Sequence, residues 1–206
     1  MLQLSASCIC NAEAQPGINQ DNLLFAGQLL PEKNGGLSGT PTLKLPQDQH
    51  FVAAVLDGSA RGGEAAAHAA AAALRDAADA VTNEAALAAQ LSRAEGCAAA
   101  CICVRGDRLY LADRDDCRAY LLRERSLYLL SAQQPGQEVH TASGLLRAGD
   151  ALLLCSDGVW RILTPDAILT LLSQTANTRD AIQLLLKQVR AAGGKDTVTA
   201  VMLRAD

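Results

Sequence analysis

Apolar residues fall at every second position from Leu2 to Cys10 (Leu2, Leu4, Ala6, Cys8, Cys10), the period of a strand with one buried face. Asn22 to Leu30 is predicted as the next strand. Pro31 to Gln49, rich in Gly, Pro, Asn and Ser, reads as a long loop or an irregular hairpin. Phe51 to Leu56 is an unbroken apolar run of strand length. From Gly63 to Val81 the chain is mostly alanine, with Glu64, His68, Arg75, Asp76 and Asp79 as its main polar interruptions. Alanine has the best helix propensity, and its small side chain lets a helix approach a sheet closely. Asn83 to Arg93 predicts a shorter helix, with Asn83 as its cap.

The middle of the chain reads as strand throughout. Cys97 to Val104, Arg108 to Ala112, Cys117 to Arg123 and Ser126 to Ser131 are separated by short turns, which predicts an antiparallel meander. Gly136 to Gly149 is a turn-rich connector with room for one strand, and Ala151 to Ser156 is a further buried strand. Thr164-Pro165-Asp166 starts a helix that runs into Ala167 to Ser173. Thr178 to Ala192 predicts an amphipathic helix ending at Gly193-Gly194, and Thr197 to Arg204 a closing strand. Runs of strands and pairs of helices are segregated along the chain, the mark of a layered α+β fold rather than a βαβ repeat.

Length and composition narrow the class. The chain has 206 residues, half of them hydrophobic, so it can bury one sizeable core and predicts a single domain over 1–206. A net charge of −4 and the lack of any Lys/Arg-rich run argue against nucleic acid or an anionic membrane as the main partner, and leave phosphorylated or basic protein surfaces open. Seven cysteines with no Cys-x-x-Cys pair sit mostly in apolar runs, which favours buried reduced thiols and a cytoplasmic protein over a zinc site. No basic segment precedes a long apolar run at the N-terminus, and no stretch reaches the ~18 apolar residues needed to span a bilayer.

Acids end several of these apolar runs. Asp57-Gly58 follows Phe51 to Leu56, Asp157-Gly158 follows the run ending at Cys155 and Ser156, and Asp196 opens the last strand. Carboxylates at the ends of buried strands are costly unless a cation meets them, so their convergence would form a metal site. Alone, Asp57-Gly58 and Asp157-Gly158 also serve as ordinary turns, Asp196 merely starts a strand, and Asp21 and Asp116 read as turn residues, because aspartate bonds its own backbone in turns. His50, His68 and His140 have no ligand spacing with one another, and Trp160 reads as packing beneath the site.

Five segments then carry a resemblance: Asn19-Gln20-Asp21-Asn22, Val55-Leu56-Asp57-Gly58, Leu109 to Tyr120, Gly149 to Trp160 and Gly193 to Val201. In order and spacing they resemble the metal-dependent protein serine/threonine phosphatases of the PPM, or protein phosphatase 2C, family over nearly the whole chain. The resemblance implies a four-layer αββα sandwich of two antiparallel sheets flanked by helices, in a compact version with a shortened flap region between Ser131 and Gly149. It implies that Asp57 bridges two Mg²⁺ or Mn²⁺ ions, that the Gly58 carbonyl is a ligand of one, and that Asp157 and Asp196 complete the ligands of the other. Asp21 would orient metal-bound water from outside, and Asp116 would share a third, weaker ion with Asp157. A water shared by the ions would attack phosphorus, with no protein nucleophile.

Departures from the family pattern bear on activity. Pro16 stands where an arginine usually grips the substrate phosphate, and Arg61 is the nearby substitute; an unengaged surface arginine is the competing reading. Ser59 replaces a histidine of some members, Thr197 an asparagine, Gly96-Cys97-Ala98 a Gly-Thr-Thr, and Asp113-Arg114-Asp115 an Asn-x-Gly. The functional expectation is a phosphatase acting on phosphoserine or phosphothreonine of a phosphorylated protein, with a serine/threonine kinase as the opposing activity. The alternative is a weak or inactive phosphatase-like regulatory or phosphoprotein-binding module.

Overall fold

Alternation commits β1 (Leu4–Asn11) to a place between two cores: Leu4, Ala6, Cys8 and Cys10 enter one, and Ile9 the other. In the computed structural model, which describes residues 2–12, 18–45, 50–58, 63–93, 95–132 and 138–206, β1 is followed by β2 (Asp21–Phe25) and β3 (Gln28–Leu29). These two form a hairpin rather than the single strand expected over 22–30. Its turn, Ala26-Gly27, has φ of 52° and 73°, the positive pair that matches strand twist. The stretch read as a long loop or an irregular hairpin then supplies β4 (Thr42–Leu45), an edge strand on β1. Next come β5 (His50–Gly58), α1 (Gly63–Asp76) and α2 (Glu84–Leu91), whose cap Asn83 accepts from Ala86 N at 2.8 Å. The alanine-rich helix ends at Asp76 rather than Val81, and a single 3₁₀ turn over Ala78–Ala80 carries the chain to a buried Val81.

Strands β6 (Cys97–Arg105), β7 (Arg108–Arg114), β8 (Arg118–Arg123) and β9 (Ser126–Leu129) follow, then β10 (His140–Leu145), β11 (Ala151–Cys155), α3 (Asp157–Trp160), α4 (Pro165–Gln174), α5 (Thr178–Ala191) and β12 (Val198–Ala205). Two antiparallel six-stranded sheets result, ordered β4-β1-β12-β11-β8-β9 and β10-β7-β6-β5-β2-β3. The expected meander is thus two hairpins in different sheets: the chain leaves one sheet after Arg114 and enters the other at Arg118. Periodicity reports that a segment is a strand but not which strand it joins, so this crossing is invisible to it.

The layers follow from which face each residue takes. Phe51, Ala53 and Val55 of β5 face the core between the sheets, while Val52, Ala54 and Leu56 face α1 and α2. Leu152 and Leu154 of β11 and Val201 and Leu203 of β12 close the same inter-sheet core, and Leu153, Ala200 and Met202 pack under α3, α4 and α5. The architecture is the expected αββα sandwich. Gly58 and Gly63 let α1 start against the end of β5: a Cβ on Gly58 would lie 2.2 Å from the Gly63 carbonyl carbon. All seven cysteines are buried and free. Among the described residues no helix is long and apolar enough to cross a membrane.

Candidate metal centre

Strand parity decides where the acids point. Leu23 and Phe25 of β2 face the inter-sheet core, so Asp21 at the same parity faces its mouth. Asp57 extends the Phe51, Ala53, Val55 face of β5 in the same way, and register places it directly opposite Asp21. Across the mouth, Thr199 continues the Val201, Leu203 face of β12, and its Oγ1 donates to Asp21 Oδ2 at 2.5 Å. Ser156, the residue before α3, adds a second hydrogen bond to Asp21. Two sheets therefore meet through one buried carboxyl.

Asp57, Asp116 and Asp157 converge in front of it, each offering an oxygen within 4.8 Å of the others. Asp157 is the first residue of α3, and Asp116 comes from the turn by which the chain changes sheets, where Asp115 has φ of 59°. Trp160 holds that turn. Its Nε1 donates to the Asp116 carbonyl at 2.7 Å, and the Arg118 guanidinium lies 3.5 Å from its ring centroid. The tryptophan thus ties α3 to the Asp116 turn as well as packing.

Gathering acids in a half-buried mouth perturbs them. Burial, then the charges of Asp21 and Asp157, push the Asp57 carboxyl up to about 10. Burial raises Asp21 to about 7, against the hydrogen bonds from Thr199 and Ser156, which favour its ionised form. Asp157 is also raised, by burial and the Asp116 charge, and the Arg161 guanidinium opposes the rise.

The other expected residues have distinct places. Asp196 is exposed; its Oδ1 accepts from Thr197 N at 2.8 Å, and it stands outside the trio while its charge still acts on Asp21 and Asp157. Gly58 ends β5 beside Asp57, and its N–H donates to the Gln20 carbonyl at 3.1 Å. Asp113 is buried and bonded to His140 Nδ1 (2.8 Å) and Ala132 N (2.9 Å), a clamp at the sheet edge. Arg114 donates to the carbonyls of Leu91 and Cys97, closing the end of α2. Pro16, Ser59 and Arg61 lie outside the described residues.

Three site residues were not foreseen. Thr199 and Ser156 were legible only through strand parity, once Asp21 was known to face inward. Arg161 stands four residues after Asp157, one helical turn, and its guanidinium bonds Asp116 Oδ2 at 2.7 Å and Asp157 Oδ2 at 2.8 Å. Spacing alone carried that signal.

The sequence matches no protein-family model and no curated protein. Solved structures do match over full length. They include PppA, a key regulatory component of T6SS in Pseudomonas aeruginosa, at 19% identity and TM-score 0.76, covering 100% of this chain and 99% of that one. The S. agalactiae serine/threonine phosphatase matches at 17% identity and TM-score 0.75, covering 98% and 100%. The catalytic domain of the serine/threonine protein phosphatase PstP, in complex with two manganese ions, matches at 21% identity and TM-score 0.71, covering 100% and 99%. Two six-stranded antiparallel sheets between helices, with likeness at these TM-scores along the whole chain, give it the fold of the PPM, or protein phosphatase 2C, serine/threonine phosphatases.

Proposed function

We propose that the chain, as one domain over 1–206 with a shortened flap region, is a metal-dependent phosphatase that hydrolyses phosphoserine or phosphothreonine on a protein. The convergence of Asp57, Asp116 and Asp157 at the mouth between the sheets carries this reading. The donor set fits Mg²⁺ or Mn²⁺: it is all oxygen, as hard divalent ions require, and burial with the charges of Asp21 and Asp157 makes the ionised Asp57 costly without a positive partner. Asp57 and the Gly58 carbonyl would hold one ion, and Asp57, Asp157 and Asp196 the other, with Asp116 and Asp157 offering a third, weaker position. Bound there, such ions supply Lewis acidity, lowering the pKa of water and offsetting charge on a phosphoryl group.

The protein's own residues do the rest. Asp21, opposite Asp57 in register and held by the Thr199 hydroxyl, is placed to orient water bound at the ions from outside. Arg61, between Gly58 and Gly63 in sequence, is the residue we assign to grip the substrate phosphate in place of the family's arginine at position 16. Steady-state assay of an aryl phosphate and a phosphoserine peptide, with and without Mn²⁺, tests the reading. Turnover of both that depends on Mn²⁺ is the expected result. A protein that binds Mn²⁺ yet turns over neither substrate would be a phosphatase-like binding module instead.

Arg161 makes a separate prediction. Its guanidinium occupies the Asp116–Asp157 side of the cluster, so it competes with a cation there. Removing it in Arg161→Gln should tighten Mn²⁺ binding by about 5-fold, a modest effect because the side chain is 57% exposed. The metal-free variant should melt a few degrees lower, since two acids lose their partner. Calorimetric titration showing weaker Mn²⁺ binding in this variant would refute the competition.

A further inference from the structure

At the opposite end of the sheet from the acids lies a cleft of about 390 Å³ lined by Arg123, Arg125, Arg147 and Arg204, with Glu124 and Asp150 as its carboxylates. Four guanidiniums in one cleft run against the chain's net charge of −4. Only one of the four is fully engaged. Arg123 forms a fork on the buried Asp150, with Nε to Oδ1 at 2.9 Å and Nη2 to Oδ2 at 2.6 Å, and Nη2 also reaches the Leu145 carbonyl. That pair fixes the floor.

The remaining donors are not spent. Among the described residues, no side-chain hydrogen bond or ion pair ties the guanidinium of Arg125 or Arg147. Arg204 bonds the Leu172 carbonyl through Nη2 at 3.0 Å, but its Nε is buried with no partner. That N–H is closed to solvent and so to a ligand; what Arg204 offers the cleft is Nη1, for which no hydrogen bond is seen among the described residues. The turn that carries Arg125 points the same way. Arg123 pairs with Ser126, so Glu124-Arg125 forms a two-residue turn with φ of 51° and 64°. Such a turn suits Asn-Gly, and filling it with Glu-Arg holds a long cation at the rim in a conformation that side chains resist.

We propose that this cleft binds a phosphate dianion. Guanidinium forks match tetrahedral oxyanions geometrically, and a dianion supplies the acceptors that Arg125, Arg147 and Arg204 lack. The site is separate from the acid cluster. Arg204 pairs with Ala151 at the start of β11, whereas Asp157 follows its end, six residues or about 20 Å away. The inference therefore stands whether or not the chain is a phosphatase.

The test is calorimetric titration of inorganic phosphate into metal-free Asp157→Asn protein at ionic strength held constant with chloride, so that no ion in the acid cluster can recruit the anion. Binding at about 1 mM is expected, as suits exposed arginines in salt. It should weaken about 10-fold or more in the double variant Arg125→Ala, Arg147→Ala, two surface changes that leave the core intact, and similarly in Arg204→Gln. A phosphoserine peptide that binds more tightly than phosphate, while its unphosphorylated form does not bind, identifies a phosphoryl group on a protein as the source; equal affinity identifies the free anion. No heat up to about 10 mM phosphate, or binding unchanged in the double variant, would overturn the proposal.

Discussion

Asp57→Asn should make the metal-free protein more stable while removing Mn²⁺-dependent turnover, and the stabilisation should depend on pH. In the folded state the Asp57 carboxyl is raised to about 10 from its ordinary value of 3.8, so folding near neutral pH requires it to take up a proton. The sign follows from linkage. Below about pH 4 the group is protonated in both states and costs nothing; as pH rises toward the folded value, the unfolded chain sheds a proton that the folded one keeps, and stability falls. Asp21, raised to about 7, adds to the decline between about pH 4 and 7. Asparagine needs no proton. The wild-type and variant proteins should therefore melt alike near pH 4 and diverge above it, by about 1–3 kcal/mol at pH 8, or about 3–8 °C for a chain of this size.

The same substitution removes a carboxylate at the point where the three acids meet, the one proposed to hold both ions. Mn²⁺ affinity should fall by about 100-fold or more, and activity with it. Thermal melts across pH 4–9, with and without Mn²⁺, read both effects together. An Asp57→Asn protein that melts below wild type at pH 8, or whose melting temperature still rises with millimolar Mn²⁺ as wild type's does, would remove Asp57 from the centre of the site.

Why the acids were legible and their neighbours were not is a matter of range. Asp57 and Asp157 stand out because each ends an apolar run, a contrast visible within six residues of sequence. The β11 and β5 runs, the Asn83 and Thr164 caps and the α5 stripe are local in the same sense, and the structure shows all of them. What local pattern cannot carry is partnership. The hairpin at Ala26-Gly27 was missed because a two-residue turn hardly interrupts an apolar stretch, and the β4 edge strand because pairing with β1, more than its own composition, makes it a strand.

Partnership also reshapes the site. The resemblance groups Asp57 with Asp157 and Asp196 and leaves Asp116 at the periphery; the structure gathers Asp57, Asp116 and Asp157 and sets Asp196 aside, bonded to its own following amide. Arg161 meanwhile draws Asp116 and Asp157 together.

Gly158→Ala is expected to do the largest damage to the fold and the site at once. A Cβ at position 158 would lie 2.0 Å from the Thr197 carbonyl oxygen, 3.1 Å from its carbon and 3.5 Å from Asp196 Cβ. The obstacle is backbone at the start of β12, so no side-chain rotation relieves it; α3 must move away from β12. That movement would carry Asp157 at the head of the helix away from Asp57, along with Trp160, whose indole fixes the Asp116 turn. The cost is on the order of 2–4 kcal/mol, about 5–15 °C in melting temperature, and Mn²⁺ binding should weaken with it. Gly39→Ala provides the control, because a Cβ there meets nothing within 4 Å and the change should be silent in both measurements. The ligand geometry depends on this contact only if the two readouts fall together: a Gly158→Ala protein that melts within about 2 °C of wild type and binds Mn²⁺ as tightly would mean that α3 is not positioned by its approach to Thr197.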